Sequence, residues 1–450
     1  MTETDRTVVV SAPGKVLLAG GYIVLDRKHT GLVFGLSARI HVLAQEIATS
    51  EGVHLSEIVV QSPQFLNATW KYGYHQVGDG GGIKVTQLQS GEPVEPNHFV
   101  ETTLTYALTY IAHVDQTRAT HGLRPASLLV LADSDYYSSS SSTPSSSAPA
   151  AARFPPFHTT LRDAHKTGLG SSAAIVTALT AALLAHHLPR ALFDLAAPAG
   201  RRVLHNLAQA AHCSAQGKIG SGFDVASAVY GSCLYRRFSP ALLAGLPNPA
   251  EAGFGRDLVR LVGERPWDCE VDKDKVGEGL PRGVVVRMCD VDCGTQTVGM
   301  VKGVNEWRAK EPARAEQTYN ELQGCVDRLA AVLRGRDVEG IRGAMGPVRE
   351  IMRRMGRESG VPIEPESQEA MLNGLEKVPG VYGSVVPGAG GYDAAAVVMR
   401  DDDETERLVK EFLGKWSQEH EIQVRLMEVR GETEGVRQEG LGEFETWINR

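Results

Sequence analysis

The sequence predicts an α+β fold in two successive units, 1–238 and 239–450, and three observations predict it. A glycine and serine loop, Lys166-Thr167-Gly168-Leu169-Gly170-Ser171-Ser172-Ala173-Ala174, runs straight into a small-residue apolar helix over 173–188. Beyond residue 284, strand-like and helix-like segments alternate, as layered α+β proteins require. Between these regions, from Phe238 onward, Pro240, Pro247, Pro249 and several glycines break the pattern and mark a junction. A chain of 450 residues is long enough for two substantial cores.

In chain order, β-branched runs and glycine turns predict strands over 8–11, 16–24 and 32–43. Pro13-Gly14-Lys15 reads as a turn that sets a lysine between the first two. Helical spacing of apolar residues predicts a helix over 99–114, and a strand follows over 128–132. The stretch 134–156 has serine runs and prolines with little apolar content. Such a segment cannot bury enough surface to order itself, so a disordered insertion is expected. A further helix over 201–216 stops at Gly217. After the junction, strands are predicted over 284–292, 382–386, 394–399 and 423–428. Helices are predicted over 297–309, 312–334, 338–356, 365–377 and 404–418. No internal repeat is present.

Composition narrows the function classes. With 42% hydrophobic and 22% charged residues the chain is an ordinary globular protein. A net charge of −8 excludes broad electrostatic attraction to nucleic acid or an anionic membrane, so neither is expected as a partner. Residues 1–6 are polar and acidic, unlike a signal or transit peptide. The apolar run 173–188 contains His186 and His187 and is short for a membrane span. Six cysteines without Cys-x-x-Cys spacing argue against a zinc site or disulfide framework, and Cys289 and Cys293 read as buried thiols of a β-region. A reducing, cytoplasmic setting is expected.

The glycine loop has the chemistry of a phosphate cradle. Glycines let the backbone approach an anion, a helix N-terminus offers unpaired N–H groups and a positive dipole end, and hydroxyls reach phosphate oxygens or a metal. Two more segments belong with it: Ala12-Pro13-Gly14-Lys15-Val16-Leu17-Leu18-Ala19-Gly20-Gly21-Tyr22, and Val386-Pro387-Gly388-Ala389-Gly390-Gly391-Tyr392-Asp393. In this order and at this separation they resemble the three signature motifs of the GHMP kinase superfamily. Gly20-Gly21-Tyr22 lacks the acidic residue usual in mevalonate kinases and galactokinases. His165-Lys166-Thr167 replaces the usual proline-led opening, and the Gly-Gly-Tyr-Asp ending is also unlike mevalonate kinase. With Gln216-Gly217-Lys218-Ile219-Gly220-Ser221-Gly222-Phe223-Asp224, these variants resemble the fungal-type phosphomevalonate kinase branch.

The resemblance implies a GHMP kinase fold, with an N-terminal ribosomal-S5-like domain, a C-terminal ferredoxin-like domain and the active site between them. It implies transfer of a phosphoryl group from ATP, with Mg2+, to 5-phosphomevalonate, yielding 5-diphosphomevalonate in the mevalonate route to isoprenoids and sterols, with no obligate protein partner. It carries the catalytic aspartate onto Asp224, for which a helix N-cap is the structural alternative. Lys15 is assigned to orienting the acceptor and stabilising the transferred group. Residues Lys166 to Ala174 are expected at ATP. Tyr22, Arg39, Lys218, Ser221, Gly222, Lys302, Gly388, Ala389 and Gly390 are candidates for the acceptor side, the glycine-rich backbones as an N–H nest. Lys302 has an equal alternative as a solvated helix lysine.

Several relatives in the superfamily hold magnesium with a glutamate from the helix after the phosphate loop, yet the helix 201–216 has no Asp or Glu. Ser171 or Ser172, the nucleotide phosphates and water could suffice, because magnesium favours oxygen ligands and keeps waters. His205, Gln209, His212 and Gln216 are candidates to support that site from behind, though for the two histidines a packed or wet helix face is the better account. The enzymatic rivals are mevalonate kinase and, less favoured by the motifs, diphosphomevalonate decarboxylase. A catalytically silent metabolite sensor on the same fold is the alternative of a different class.

Overall fold

The chain alternates strands and helices around one large sheet in a computed structural model that describes residues 7–50, 55–89, 94–115, 122–138, 153–277, 279–292, 299–392 and 394–448. The expectations for residues 1–6 and 139–152, for Cys293 and for Asp393 lie outside the described residues.

The first half contributes strands β1 (Val8–Ala19), β2 (Gly31–Glu46), β3 (Glu57–Gln61), β4 (Thr69–Gln76) and β5 (Ile83–Leu88), then helix α1 (His98–Val114) and strand β6 (Ala126–Ala132). A two-stranded ribbon follows, β7 (Tyr137–Ser138) with β8 (His165–Lys166). After it come α2 (Ser171–His187), α3 (Pro198–Gln216), α4 (Phe223–Tyr230) and β9 (Cys233–Arg236). The rest comprises α5 (Phe254–Val259), β10 (Glu270–Asp272), β11 (Val284–Asp292), α6 (Met300–Lys310), α7 (Pro312–Arg334), α8 (Gly340–Ser359), α9 (Glu366–Leu375), β12 (Val381–Val385), β13 (Ala394–Arg400), α10 (Asp403–His420), β14 (Gln423–Glu432) and β15 (Arg437–Gln438).

Among the described residues thirteen strands form one sheet whose main path is β12-β13-β11-β14-β2-β6-β3-β4-β5. Among the described residues a short strand pairing, Gly431 with Leu36 and Glu432 with Gly35, joins β12, β13, β11 and β14 to the N-terminal part. Strand β15 returns to pair with β1 through Val10 and Ser11. The segment after Phe238 packs back on the first half: β10 pairs with β9, and the Phe254 ring meets Tyr106 of α1 edge-on.

The first correction concerns the lysine segment. Pro13-Gly14-Lys15 is not a turn between two strands, since β1 runs through it unbroken and pairs with β2. The register shifts between Pro13 and Gly14. A bulge tolerates a proline because the missing N–H is not demanded by the ladder. The second correction concerns the ends of 134–156. Ser134–Tyr136 forms a 3-10 turn and Tyr137–Ser138 a strand, while Tyr136, Tyr137 and Phe154 are buried. These aromatic rings supply the apolar surface that the intervening serines lack.

Helix α2 is apolar all round and buried along most of its length, as a helix enclosed on every side must be. It packs on β1 and β2 on one side and on α1 and α3 on the other. That enclosure fixes the direction of its N-terminus. Helix α3 starts with Pro198 at its first turn and ends at Gly217, whose φ of 65° is the left-handed closure expected there.

Candidate active site

The glycine loop lies between β8 and α2 and is anchored by its own chain. Tyr137 pairs with Lys166 across the ribbon. The Thr167 hydroxyl donates to the Asp135 carbonyl at 2.6 Å, and Leu169 is buried. Gly170 caps α2 with a φ of 82°, leaving the first N–H groups of the helix open to an anion.

Lys15 meets this loop from β1. Its backbone N–H donates to the Leu169 carbonyl at 2.9 Å and its ammonium to the Gly168 carbonyl at 3.1 Å. Contact is so close that a Cβ on Gly170 would stand 2.7 Å from Lys15 Cε, so glycine is required for the lysine to cross the loop. Burial pushes the Lys15 pKa below its usual value, and the charge of Asp224 opposes that push.

Asp224 lies in the first turn of α4, but the N-cap is Gly222 at φ 87°. The cap role foreseen for Asp224 therefore belongs to another residue. One carboxylate oxygen accepts from the Val225 N–H at 3.0 Å, and the other faces His212 Nδ1 at 3.8 Å. His212 is buried, and its Nε2 stands 3.1 Å from the Ser172 hydroxyl and 3.1 Å from Gln216 Nε2. Packing on a helix face, the account favoured from sequence for both histidines, fits each of them and is the whole account for His205. That ring sits among Asn206, Tyr230 and Trp267, and burial lowers its pKa to about 4.

The loop ahead of Asp224 is held from below. The Tyr235 hydroxyl donates to the Ser221 carbonyl at 3.0 Å, and Arg237 donates to the Gly220 carbonyl at 2.7 Å and the Leu25 carbonyl at 2.6 Å. Lys218, just past the end of α3, is exposed.

The third glycine motif packs on the end of the first. Tyr22 donates its hydroxyl to the Ala389 carbonyl at 2.6 Å, and a Cβ on Gly21 would meet the Gly388 carbonyl at 2.3 Å. From the other side the Gly391 N–H donates to the Ile363 carbonyl at 2.9 Å. The second motif also reaches this point, because a Cβ on Gly168 would stand 3.8 Å from that of Ala394.

Three candidates for acceptor contact sit otherwise. Arg39 is 1% exposed and its donors are engaged by the Ser11 hydroxyl, the Ser11 and Gly435 carbonyls and Glu432, a structural clasp between β1, β2 and the C-terminal segment. The hydroxyl of Tyr22 is committed to the backbone of the third motif and its ring is buried. Lys302 is a solvated lysine on α6, its side chain 82% exposed and paired along the helix with Glu306.

Beside the helix N-terminus opens a cavity of about 630 Å³ lined by Trp70, Asn97, Phe99, Tyr137, Lys166, Ser171, Ser172 and Ile175. Its aromatic and apolar walls next to an anion-binding loop suit a flat, apolar-faced group attached to phosphates. Burial raises the Tyr137 pKa to about 12, opposed by its hydrogen bond to Ser171, so the phenol stays protonated beside the loop. Trp70, Phe99 and Tyr137 come from β4, α1 and β7, which carry no motif.

The family model for the GHMP kinases N terminal domain matches residues 149–232. A phosphomevalonate kinase of Gibberella zeae is 57% identical over 449 residues, covering 100% of both chains. One from Aspergillus fumigatus is 42% identical and covers 98% of each. Among solved structures, Streptococcus pneumoniae phosphomevalonate kinase in complex with phosphomevalonate and AMPPNP superposes with a TM-score of 0.61 at 16% identity, covering 94% of this chain and 99% of that one. That likeness establishes the GHMP kinase fold. Taken with the end-to-end identity to the fungal enzymes and the contact of Lys15 with the phosphate loop, it shows that the chain belongs to the phosphomevalonate kinase family.

Proposed function

We propose that this protein transfers the terminal phosphoryl group of ATP to the phosphate of 5-phosphomevalonate, forming 5-diphosphomevalonate and ADP in the mevalonate route to isoprenoids and sterols. The observation that carries the reading is Lys15, held by two carbonyls of the phosphate loop and within electrostatic reach of Asp224.

The acceptor oxygen belongs to a phosphate that is already an anion near neutral pH, so little deprotonation is needed. The barrier lies in bringing polyanions together, and the protein lowers it by placing fixed positive charge where negative charge gathers. The Lys15 ammonium does so at the seam between the phosphate loop and the acceptor side. The open N–H groups at the start of α2 bind the donor phosphates, and Lys166, exposed at the cavity mouth, adds charge there. Asp224 opposes the loss of the Lys15 proton and keeps the cation charged in a buried place. The cavity beside Trp70 and Phe99 takes the nucleoside. The backbone N–H groups of Ser221, Gly222 and Ala389, with Lys218 at the rim, take the acceptor, whereas those of Gly388 and Gly390 already donate to the Leu17 and Pro387 carbonyls.

Among the described residues no group of three His, Cys, Asp or Glu side chains could hold a metal ion. The Ser171 and Ser172 hydroxyls are hard oxygen donors at the mouth of the loop and fit magnesium, which shares ligands with phosphates and water. When bound, the ion supplies further neutralisation of the phosphates. The cytoplasm is the proposed setting, and no helix among the described residues is long and apolar enough to cross a membrane.

Coupled ADP release with ATP and magnesium, comparing 5-phosphomevalonate with mevalonate at matched concentrations, tests this function. Turnover confined to the phosphorylated acceptor is expected. Turnover of mevalonate alone assigns the rival kinase, and nucleotide binding without turnover on either acceptor supports the sensor.

A further inference from the structure

Two polar groups from separate parts of the chain meet at one buried imidazole. His212 is 2% exposed on α3, with Phe99 of α1 packed at a tilt over its ring. Nε2 lies 3.1 Å from the Ser172 hydroxyl at the start of α2, and Nδ1 lies 3.8 Å from Asp224 Oδ2 at the start of α4. The phosphate loop and the aspartate, which the backbone brings from different helices, are thus connected through one side chain.

The partners select the tautomer. With the Gln216 amide nitrogen 3.1 Å from Nε2, that ring nitrogen is the acceptor, and its one lone pair is shared between the Gln216 N–H and the Ser172 hydroxyl. On the opposite edge the Asp224 carboxylate can only accept, which puts the ring proton on Nδ1. At 3.8 Å that N–H is an aimed dipole rather than a hydrogen bond. With Nε2 accepting, the Ser172 hydroxyl donates its proton inward, and its lone pairs are left for the mouth of the loop. A serine oriented this way presents oxygen to a cation.

We infer that His212 is a positioning residue that sets Ser172 as an oxygen ligand for the nucleotide's magnesium and holds Asp224 in register with it. The inference rests on the proposed kinase function for its catalytic consequence, but not for its metal-binding one. It assigns a task to a helix that has no carboxylate to offer a metal: α3 acts on the ion through the serine. Orientation of a ligand by a hydrogen-bonded partner commonly changes metal affinity by about 10–100-fold.

The test uses the full chain with His212→Ala and His212→Gln. The glutamine amide oxygen can still accept from Ser172. Binding of AMPPNP is measured without metal and then as a function of added Mg2+, alongside steady-state kinetics. In His212→Ala the affinity for Mg2+ at saturating AMPPNP should fall about 10-fold or more while metal-free AMPPNP binding holds. Its kcat should fall about 10²-fold with KM for both substrates within about threefold. His212→Gln should recover most of the metal affinity. Wild-type metal dependence and kcat in a folded His212→Ala would overturn the inference. If the alanine variant fails to fold, the glutamine variant decides, and a folded His212→Gln with metal affinity lowered about 10-fold or more overturns it. Absence of turnover in the wild-type protein would instead overturn the kinase reading, and the metal titration would still decide the role of His212.

Discussion

Gly222 and Gly217 flank one loop and separate two physical costs. Gly222 has a φ of 87°, and a Cβ there would stand 2.7 Å from Tyr235 Oη, 2.8 Å from Gln209 Oε1 and 2.9 Å from Phe238 Cε1. Tyr235 and Phe238 are fully buried and Gln209 is 1% exposed, so none can swing into solvent to make room. Gly217 has a φ of 65° and nothing within 4 Å of its Cβ position. Both positions charge an L-residue the left-handed penalty of about 1–2 kcal/mol. Only Gly222 adds the overpacking cost of about 1–3 kcal/mol. Gly217→Ala should therefore lose about 1–2 kcal/mol and Gly222→Ala about 2–5 kcal/mol. Asp224 follows Gly222 in the same turn, so Gly222→Ala should also lower kcat about 10²-fold, whereas Gly217→Ala should leave it near wild type. Urea unfolding followed by tryptophan fluorescence, with kinetics at a temperature where both variants are folded, measures both effects. Equal stability losses, or wild-type kcat in a folded Gly222→Ala, would refute the reasoning.

Lys15→Met should lower kcat about 10²–10³-fold with little loss of stability. Because burial lowers the Lys15 pKa and Asp224 opposes it, turnover should fade as pH rises through a value below 10.5. Asp224→Asn removes the opposing charge, so the alkaline limb of the pH–kcat profile should move to lower pH; an unmoved limb would uncouple the two residues. Arg349 and Glu364 are 6% and 2% exposed and bonded at 2.6 Å, with Glu376 at 3.1 Å from the same guanidinium. Glu364→Ala should cost about 3 kcal/mol in urea unfolding, the low end for a broken buried pair because Glu376 remains; a loss below about 1 kcal/mol would show that Glu376 takes over. Hydrogen bonds from Lys410 and Arg287 hold the Glu406 pKa at about 2 against 4.5. A depressed carboxylate adds stability that is present above its unfolded value and lost as pH falls through its folded one. The gap in urea midpoint between wild type and Glu406→Gln should narrow between pH 4.5 and pH 2, and a constant gap would contradict it.

Helices long enough to show their period were legible in the sequence. The segment 312–334 was read with the bounds that α7 shows, and 284–292 with those of β11. Strands β3 to β5 were missed because residues such as Thr69–Gln76 alternate polar and buried positions without a strong apolar run. Pro13-Gly14 resembled a turn because a bulge inside a strand uses the same residues as a turn. Motif spacing brought Lys15, the phosphate loop, Asp224 and the third glycine segment into view, and other parts of the site lie where spacing says nothing. Arg39 reads as a free cation in sequence, since its partners Glu432 and Gly435 lie at the far end of the chain. His212 reads as one apolar-face histidine, since its tie to Ser172 exists only after α2 and α3 pack together. Trp70 and Phe99 on the cavity walls come from elements with no motif at all.

Transfer to a phosphate oxygen of the acceptor, rather than to a hydroxyl, distinguishes this enzyme's proposed reaction from that of its rivals. Phosphorus NMR of the product formed from 5-phosphomevalonate, ATP and magnesium tests it most directly. The expected result is loss of the acceptor's monoester signal and growth of two mutually coupled diphosphate signals distinct from those of ADP, with one diphosphate product formed per ADP released. Formation of inorganic phosphate alone, or of a second isolated monoester signal from transfer to a hydroxyl, would contradict it.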